Sequence, residues 1–483
     1  MRLKTTTDRL RRDVPGLLAE HDVPGLAIGI CDASGLRWSA GFGHTTRGGA
    51  EVTPSTMFSI QSVSKLYTST VIMTAVRDGL LDLDEPITSY LPDFTVHSSW
   101  ERHPERRMTL RLLLSHRAGF THEAPIGSNY HADRSWAAHL RSISDSWLRF
   151  PVGHHYEYSN LGIDLAAHAL ESVTGRPFLT LARERLLEPL GLRRTTFDQR
   201  AIMTEPDRAR GHDPQVARLP VWIPMIAAGG VYSGIDDACR FVSFHLAGGE
   251  GILTPELLRE QYAVPSPEPD QDLGYGLAVR HARWDDRVIL GHGGGGYGFT
   301  CYLGWAPRDG VGVVVLTNSS GSSLFEDLCR RAFRELLGAG AERAPLITTR
   351  RPRIESSYAA RGAVTFSADQ LNEEEPGTTF RQDGDWLIQN DGLALYRNDP
   401  IEIADDQPVD GPWNRDYTIT IAGSKINSVR LLRRRGAAAI EFDGERRLAL
   451  RRHRTDLYFC TMGEALDLSG DPITYANIAL RPA

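Results

Sequence analysis

Ser62-Val63-Ser64-Lys65 opens an apolar stretch that continues through Leu66, Tyr67, Val71 and Ile72. Residues three apart on a helix share one face, so this spacing brings the Lys65 amine within hydrogen-bond reach of the Ser62 hydroxyl. At a helix N-terminus, where developing negative charge is favoured, that pair is an activated nucleophile. Alone it is weak, because 31 serines and 3 lysines in 483 residues produce about 0.2 Ser-x-x-Lys occurrences by chance. The bland alternative is a helix cap beside a solvated lysine, and the apolar neighbours argue against it. The background argues further: of 54 basic residues only Lys4, Lys65 and Lys425 are lysine. Where charge alone suffices this chain uses arginine, so a retained lysine points to a need for an amine that can lose its proton.

Two more groups carry chemistry. Tyr158-Ser159-Asn160 precedes the helical pattern Leu161-Gly162-Ile163-Asp164-Leu165. A phenol held beside an ammonium group can act as a base and later return the proton to a leaving group. The competing reading, at even weight for this motif alone, has Asn160 capping the helix and Tyr158 packing in the core, with Tyr156 as the nearest decoy. Gly291-His292-Gly293-Gly294-Gly295-Gly296 lets a backbone edge approach a substrate and aim N–H groups at an oxyanion. An HGGG run also occurs in α/β-hydrolases, but those need a G-x-S-x-G elbow and the chain contains none.

Positioning these groups takes a mixed framework. A helix is predicted over 7–20, then a hairpin of 25–30 and 36–42 around the turn Asp32-Ala33-Ser34-Gly35. A second hairpin pairs 301–305 with 311–316. Strands at both ends of a region with a helical middle imply one sheet assembled from distant segments. The helices fall at 65–77, 110–115, 161–173, 181–187 and 324–337. The small-residue stretch Gly338 to Pro345 marks a boundary between a domain of residues 1–345 and one of 346–483. Beyond it, short strand-like runs broken by Asp383-Gly384, Asp391-Gly392 and Asp443-Gly444 read as an antiparallel barrel or sandwich.

Composition narrows the class. Apolar residues at 41% and charged residues at 24% are globular values. A net charge of -7 without a basic face excludes non-specific nucleic-acid binding. The cysteines Cys31, Cys239, Cys301, Cys329 and Cys460 are scattered without CxxC spacing, so no disulfide framework, metal site or cofactor is expected. His154-His155, and His116 and His122 with Glu123, lack ligand spacing and read as loop or core residues. Trp222 to Ile226 lines a cleft or belongs to the core, with core favoured. The charged N-terminus has no apolar leader and no window spans a membrane, so a cytoplasmic protein without membrane partners is expected.

Order and spacing of the three motifs resemble the serine β-lactamase and penicillin-binding-protein superfamily. Ser-x-x-Lys comes first, Tyr-x-Asn follows 96 residues after Ser62, and His-x-Gly stands after a long helical insertion. The match is to the class C-like branch, with D-aminopeptidase, esterase and penicillin-binding-protein-type thioesterase relatives. Leu112 to His116 with Gly119-Phe120, Ala227 to Gly230 with Tyr232-Ser233, and Gly79 to Asp84 extend it over residues 8–338. The resemblance implies an α/β domain with a central antiparallel sheet and an all-helical insertion, followed by a tail that some relatives build as a lipocalin-like barrel. It implies Ser62 as acylated nucleophile, Lys65 and Tyr158 as proton relay, and Asn160 bridging Lys65 and the substrate amide. His292 would hydrogen-bond the tyrosine and the substrate. Ser62 and Gly295 N–H groups would form the oxyanion hole, with Gly293 and Gly294 lining the same edge. The class A relatives have Lys-Thr-Gly where this chain has His292-Gly293-Gly294. An imidazole is mostly neutral at pH 7, so efficient β-lactam turnover is not expected.

The function expected is hydrolysis of a peptide-like amide or ester through acyl-Ser62, with a D-configured acyl residue favoured by the resemblance. Release and macrocyclisation of a carrier-tethered nonribosomal peptide is the related alternative. A slowly deacylating binder or sensor is the alternative of another class. The tail carries no second catalytic set and is expected to shape substrate access without supplying a proton-transfer group.

Overall fold

A computed structural model describes residues 2–338 apart from 128–133, 150, 154–155, 217–218, 250, 265–272 and 286, and later 380–383, 386–389, 395–397, 412–421, 424–434, 437–444, 446–460 and 463–483. The chain packs as two compact units, Met1–Leu83 with Ala166–Arg351 and Asp84–Leu165 with Pro352–Ala483. The boundary expected at 345/346 lies outside the described residues, as does His154-His155.

The first unit is built on a seven-stranded antiparallel sheet. Its order is Gly35–Gly43, Gly25–Asp32, Val311–Thr317, Phe299–Ala306, Arg287–Gly296, Arg280–Trp284 and Leu273–Tyr275. The N-terminal hairpin therefore pairs with a strand almost 300 residues later, in the register Leu26 to Thr317 and Ile28 to Val315. Leu26, Ile28, Ile30, Val313 and Val315 bury one face against Leu10, Val14 and Leu18 of helix Arg2–Glu20 and Leu328, Ala332 and Phe333 of helix Leu324–Leu337. Helix Ile235–Leu246 covers the other face, and Gly29 permits this because a methyl there would lie 2.3 Å from Cys239 Sγ. A strand covered on both faces has no wet side, which explains the unbroken apolar run from Leu26 to Cys31. The first helix begins at Arg2, earlier than predicted, because Arg2 Nη1 donates to Leu337 O at 2.7 Å. Arg287 Nη1 donates to Gly338 O at 2.6 Å, so two guanidinium groups serve the carbonyl end of helix Leu324–Leu337.

Helix Ser64–Arg77 runs through the interior, with every residue from Ser64 to Ala75 buried. Four of its serine and threonine hydroxyls tolerate this because they are bonded: Thr68 to Ala227 O at 2.7 Å, Ser69 to Leu277 O at 2.7 Å, Thr70 to Leu66 O at 2.9 Å and Thr74 to Val71 O at 2.7 Å.

In the second unit, helix Leu110–Leu114 is capped by Thr109 and helix Trp136–Ser142 by Ser135. The tail forms a nine-stranded antiparallel sheet ordered Ile478–Ala479, Thr474–Tyr475, Ala465–Asp467, Leu457–Cys460, Arg446–Arg454, Ala437–Phe442, Ser424–Arg434, Arg415–Ile421 and Arg481–Pro482. The strands at its two ends are separated in sequence only by Leu480, so the sheet must curl until its edges lie near each other. Among the described residues no hydrogen-bonded pair closes a ring. Tyr417, Ile419, Val429, Leu431, Ile440, Leu448 and Leu466 share one core. A further three-stranded sheet comprises Phe380–Asp383, Trp386–Gln389 and Leu395–Arg397. Among the described residues no helix is long and apolar enough to cross a membrane.

Candidate functional site

Gln61–Val63 is a 3₁₀ turn that runs directly into helix Ser64–Arg77, with Val63 and Ser64 already helical. Ser62 and Lys65 consequently stand one turn apart, and Lys65 Nζ donates to Ser62 Oγ at 3.2 Å and to Ala228 O at 2.9 Å. Lys65 is completely buried. An amine so placed costs desolvation that its hydrogen bonds offset, and it presents nitrogen to the hydroxyl without solvent between them. Gln61, the residue before the serine, has φ +47°, and its amide donates to Ser59 Oγ at 2.8 Å. Left-handed backbone at a non-glycine residue is strained and needs such support.

The neighbouring hydroxyls are engaged. Ser64 Oγ is buried and accepts Val231 N–H at 3.0 Å. Ser233 Oγ shares a 2.8 Å hydrogen bond with Thr195 and donates to Gly234 O at 3.1 Å.

Strand Arg287–Gly296 lies against the serine turn because Gly294 has no side chain. A methyl at Gly294 would fall 2.3 Å from Ile60 O and 2.7 Å from Cys301 Sγ. By strand alternation His292 shares that face, while Gly293 and Gly295 occupy the other, where an added methyl would meet nothing nearer than 3.7 and 3.9 Å respectively. His292 is buried; Nδ1 lies 2.5 Å from Gly293 O and Nε2 lies 2.7 Å from Tyr275 Oη. A carbonyl can only accept, so Nδ1 carries the proton and Nε2 accepts from the phenol. Burial, and then the charge of Lys65, pull the His292 pKa down to about 3. The ring is therefore neutral across the physiological range, for a stronger reason than the unperturbed imidazole value used above.

Tyr158 and Asn160 belong to the second unit. Tyr158 is half-buried, its ring centroid 4.4 Å from that of His116 and 5.6 Å from that of His122. Tyr156, the decoy, is buried with its ring edge-on to His116 at 5.8 Å. Asn160 begins helix Asn160–Thr174, and its amide donates to Glu123 Oε1 at 2.8 Å. Ser159 supplies the capping oxygen, accepting Leu161 N–H at 3.2 Å while donating to Thr121 O at 2.7 Å. His116, at φ +58°, accepts Glu157 N–H on its carbonyl at 2.7 Å and Ser159 N–H on Nδ1 at 3.3 Å. The residues read as loop or core histidines thus frame the Tyr158 segment.

Sequence reasoning missed Gln61 and Tyr275, and it set Glu123 aside with His116 and His122. Tyr275 had a signal in its flanking glycines, Gly274 and Gly276. Glu123 and the backbone state of Gln61 had none, because each acts through a contact that local pattern does not encode. Of the cleft candidates, Ile223 and Met225 pack with Tyr297 in a small buried cluster.

Residues 10–337 match the family described as Beta-lactamase. Penicillin-binding protein 4 of Amycolatopsis lactamdurans is 30% identical over 342 residues, which cover 67% of this chain and 87% of that protein. The D-alanyl-D-alanine-carboxypeptidase/endopeptidase AmpH of Escherichia coli K12 is 27% identical, covering 67% and 88%. The D-aminopeptidase of Brucella anthropi is 25% identical, covering 75% and 63%. In fold, the chain is similar to the octameric penicillin-binding protein homologue from Pyrococcus abyssi, with a TM-score of 0.60 and 22% identity over 91% of this chain and 99% of that one. The sheet, the buried serine-lysine pair and these likenesses agree: the chain belongs to the beta-lactamase family.

Proposed function

We propose that the protein is a serine hydrolase of peptide-like amides or esters, acting through an acyl-Ser62 intermediate and favouring a D-configured acyl residue. The Ser62 Oγ proton passes to Lys65 as Lys65 hands one of its own to Tyr158, while Oγ attacks the carbonyl carbon. The C–N or C–O bond breaks, and the relay returns the proton to the departing amine or alcohol. Water then cleaves the ester and restores the hydroxyl. Asn160 orients the substrate amide, and Ser62 and Gly295 N–H groups stabilise the oxyanion.

The observation carrying this reading is the fully buried Lys65 with Nζ 3.2 Å from Ser62 Oγ. The neutral His292 refines it, since a position that offers no cation favours substrates whose recognition does not need a carboxylate there. The family's D-aminopeptidase and the unguisins hydrolase of Aspergillus campestris, 26% identical over 62% of this chain, support peptide substrates. We also infer that the curled tail sheet completes a lipocalin-like barrel.

Matched D- and L-residue peptide amides, esters and carrier-type thioesters, with products weighed by mass spectrometry, test the reading. Linear acids from D-substrates are expected. Ring products lighter by one water would instead make an internal amine the acceptor, and a persistent acyl adduct without product would make the protein a binder.

A further inference from the structure

The Tyr158 segment is held from the tail as well as from its own loop. Glu464, ahead of strand Ala465–Asp467, accepts Thr121 Oγ1 at 2.7 Å on one carboxylate oxygen and faces Arg149 Nη1 at 3.2 Å with the other. Arg149 is nearly buried, and the same Nη1 lies 2.5 Å from Glu157 Oε1, the residue before Tyr158. Thr121 in turn receives Ser159 Oγ on its carbonyl at 2.7 Å, the residue after Tyr158. Both neighbours of Tyr158 are thus one link from Glu464.

A second strut arrives from another turn. Asn477 Nδ2 donates to Glu123 O at 2.8 Å, and the Glu123 carboxylate accepts the Asn160 amide at 2.8 Å. Asn477 sits between strands Thr474–Tyr475 and Ile478–Ala479 with Ala476, and both have positive φ, +49° and +65°. That is the backbone of a type I′ hairpin turn, unfavourable for alanine, and here it presents the Asn477 amide to the Glu123 carbonyl.

We propose that Glu464 and Asn477 are positioning residues for Tyr158 and Asn160, which makes the tail an obligatory part of the acylation machinery. This rests on the proton-relay reading of Tyr158. Glu464 shares the Arg149 guanidinium with Glu157, and Asn477 fixes the backbone that aims Glu123 at Asn160. Neither touches substrate.

The test uses the full chain with Glu464→Ala, its conservative partner Glu464→Gln, and Asn477→Gly, which keeps the turn while removing the amide. Displacing a relay group by about 1 Å costs about 10²-fold. Glu464→Ala and Asn477→Gly are therefore expected to lower kcat about 10- to 100-fold with KM nearly unchanged. Glu464→Gln, which still accepts the Thr121 hydroxyl, should recover part of the loss. In a Tyr158→Phe background Glu464→Ala should cost nothing further, and in an Asn160→Ala background Asn477→Gly should cost nothing further, because the group each positions is gone. Folded variants with parental kcat, or losses that multiply with that of Tyr158→Phe for Glu464→Ala and with that of Asn160→Ala for Asn477→Gly, overturn the proposal. A Tyr158→Phe protein with full turnover removes the relay reading itself and the proposal with it. If Glu464→Ala does not fold, Asn477→Gly decides by the same criteria.

Discussion

The residues proposed for catalysis are held by opposite means in the two units. Ser62 in its 3₁₀ turn, Lys65 on a buried helix and His292 on a central strand are fixed from within by the hydrogen bonds and the glycine contact of those elements. Tyr158 and Asn160 stand where a loop enters a helix, and side chains from distant segments hold them, Glu123 and His116 directly and Glu464 and Asn477 at one remove. A residue on a packed element inherits that element's rigidity. One on a loop is only as well placed as its struts. The placement of Ser62 is thus a property of the local fold, whereas that of Tyr158 is a property of long-range contacts.

The largest effect is expected where the first side does its chemistry. Lys65→Arg keeps the charge but cannot relay a proton, and loss of a relay group costs about 10²- to 10⁴-fold. Single-turnover acylation should fall almost as far as in Ser62→Ala. Retention of most turnover would mean that charge alone is needed. Next comes Gly294→Ala, whose methyl would meet Ile60 O at 2.3 Å. Since both neighbours are backbone or core, we expect overpacking to cost about 1–3 kcal/mol together with a loss of acylation. Gly295→Ala, with Thr300 Cγ2 nearest at 3.9 Å, should match the parent in thermal unfolding. Equal stability of the two variants would show that the strand does not press on the serine turn.

The effect that is smallest near neutral pH separates the sides. In the first unit burial pulls His245 to about 3 and His281 to about 4, and burial with Lys65 pulls His292 to about 3. These rings are neutral when folded, and the unfolded chain protonates them below about 6.5. Their contribution is intact above that value and is lost as pH falls toward the folded values, by up to about 1.4 kcal/mol per pH unit for each ring. His139 in the second unit behaves oppositely. Burial would lower it, but the Asp164 carboxylate 3.0 Å away, the Ile126 carbonyl and the charge of Glu123 together outweigh burial and the net shift is upward. That stabilisation is present below about 6.5 and lost as pH rises through the folded value. Hydrogen exchange followed by peptide across pH should show acid loosening first in the first unit, and His139→Gln should abolish the alkaline loosening around residues 126 and 164. Parallel pH responses in both units would remove the distinction.

The same division explains what the sequence made legible. The hairpin 25–42, helix Leu324–Leu337 and the tail strands after residue 415 follow the periodicity that predicted them, because each signal lies within the element. The Ser-x-x-Lys spacing translated directly into a hydrogen bond for the same reason. The left-handed Gln61, the phenol of Tyr275 and the packing of residues 84–165 with the tail in one unit were not legible. Each depends on segments brought together from far apart, such as Thr121 and Glu464, and no window of the chain contains both partners.

The central claim is that Ser62, set against Lys65, is the residue acylated. Full-length protein treated with a fluorophosphonate and mapped by peptide mass should carry a single adduct, on the peptide containing Ser62 and on Ser62 itself. Ser64 and Ser233, whose hydroxyls are bonded within the core, should remain unmodified. An adduct on either of them, or an unlabelled Ser62 in protein that still turns over substrate, would contradict the account.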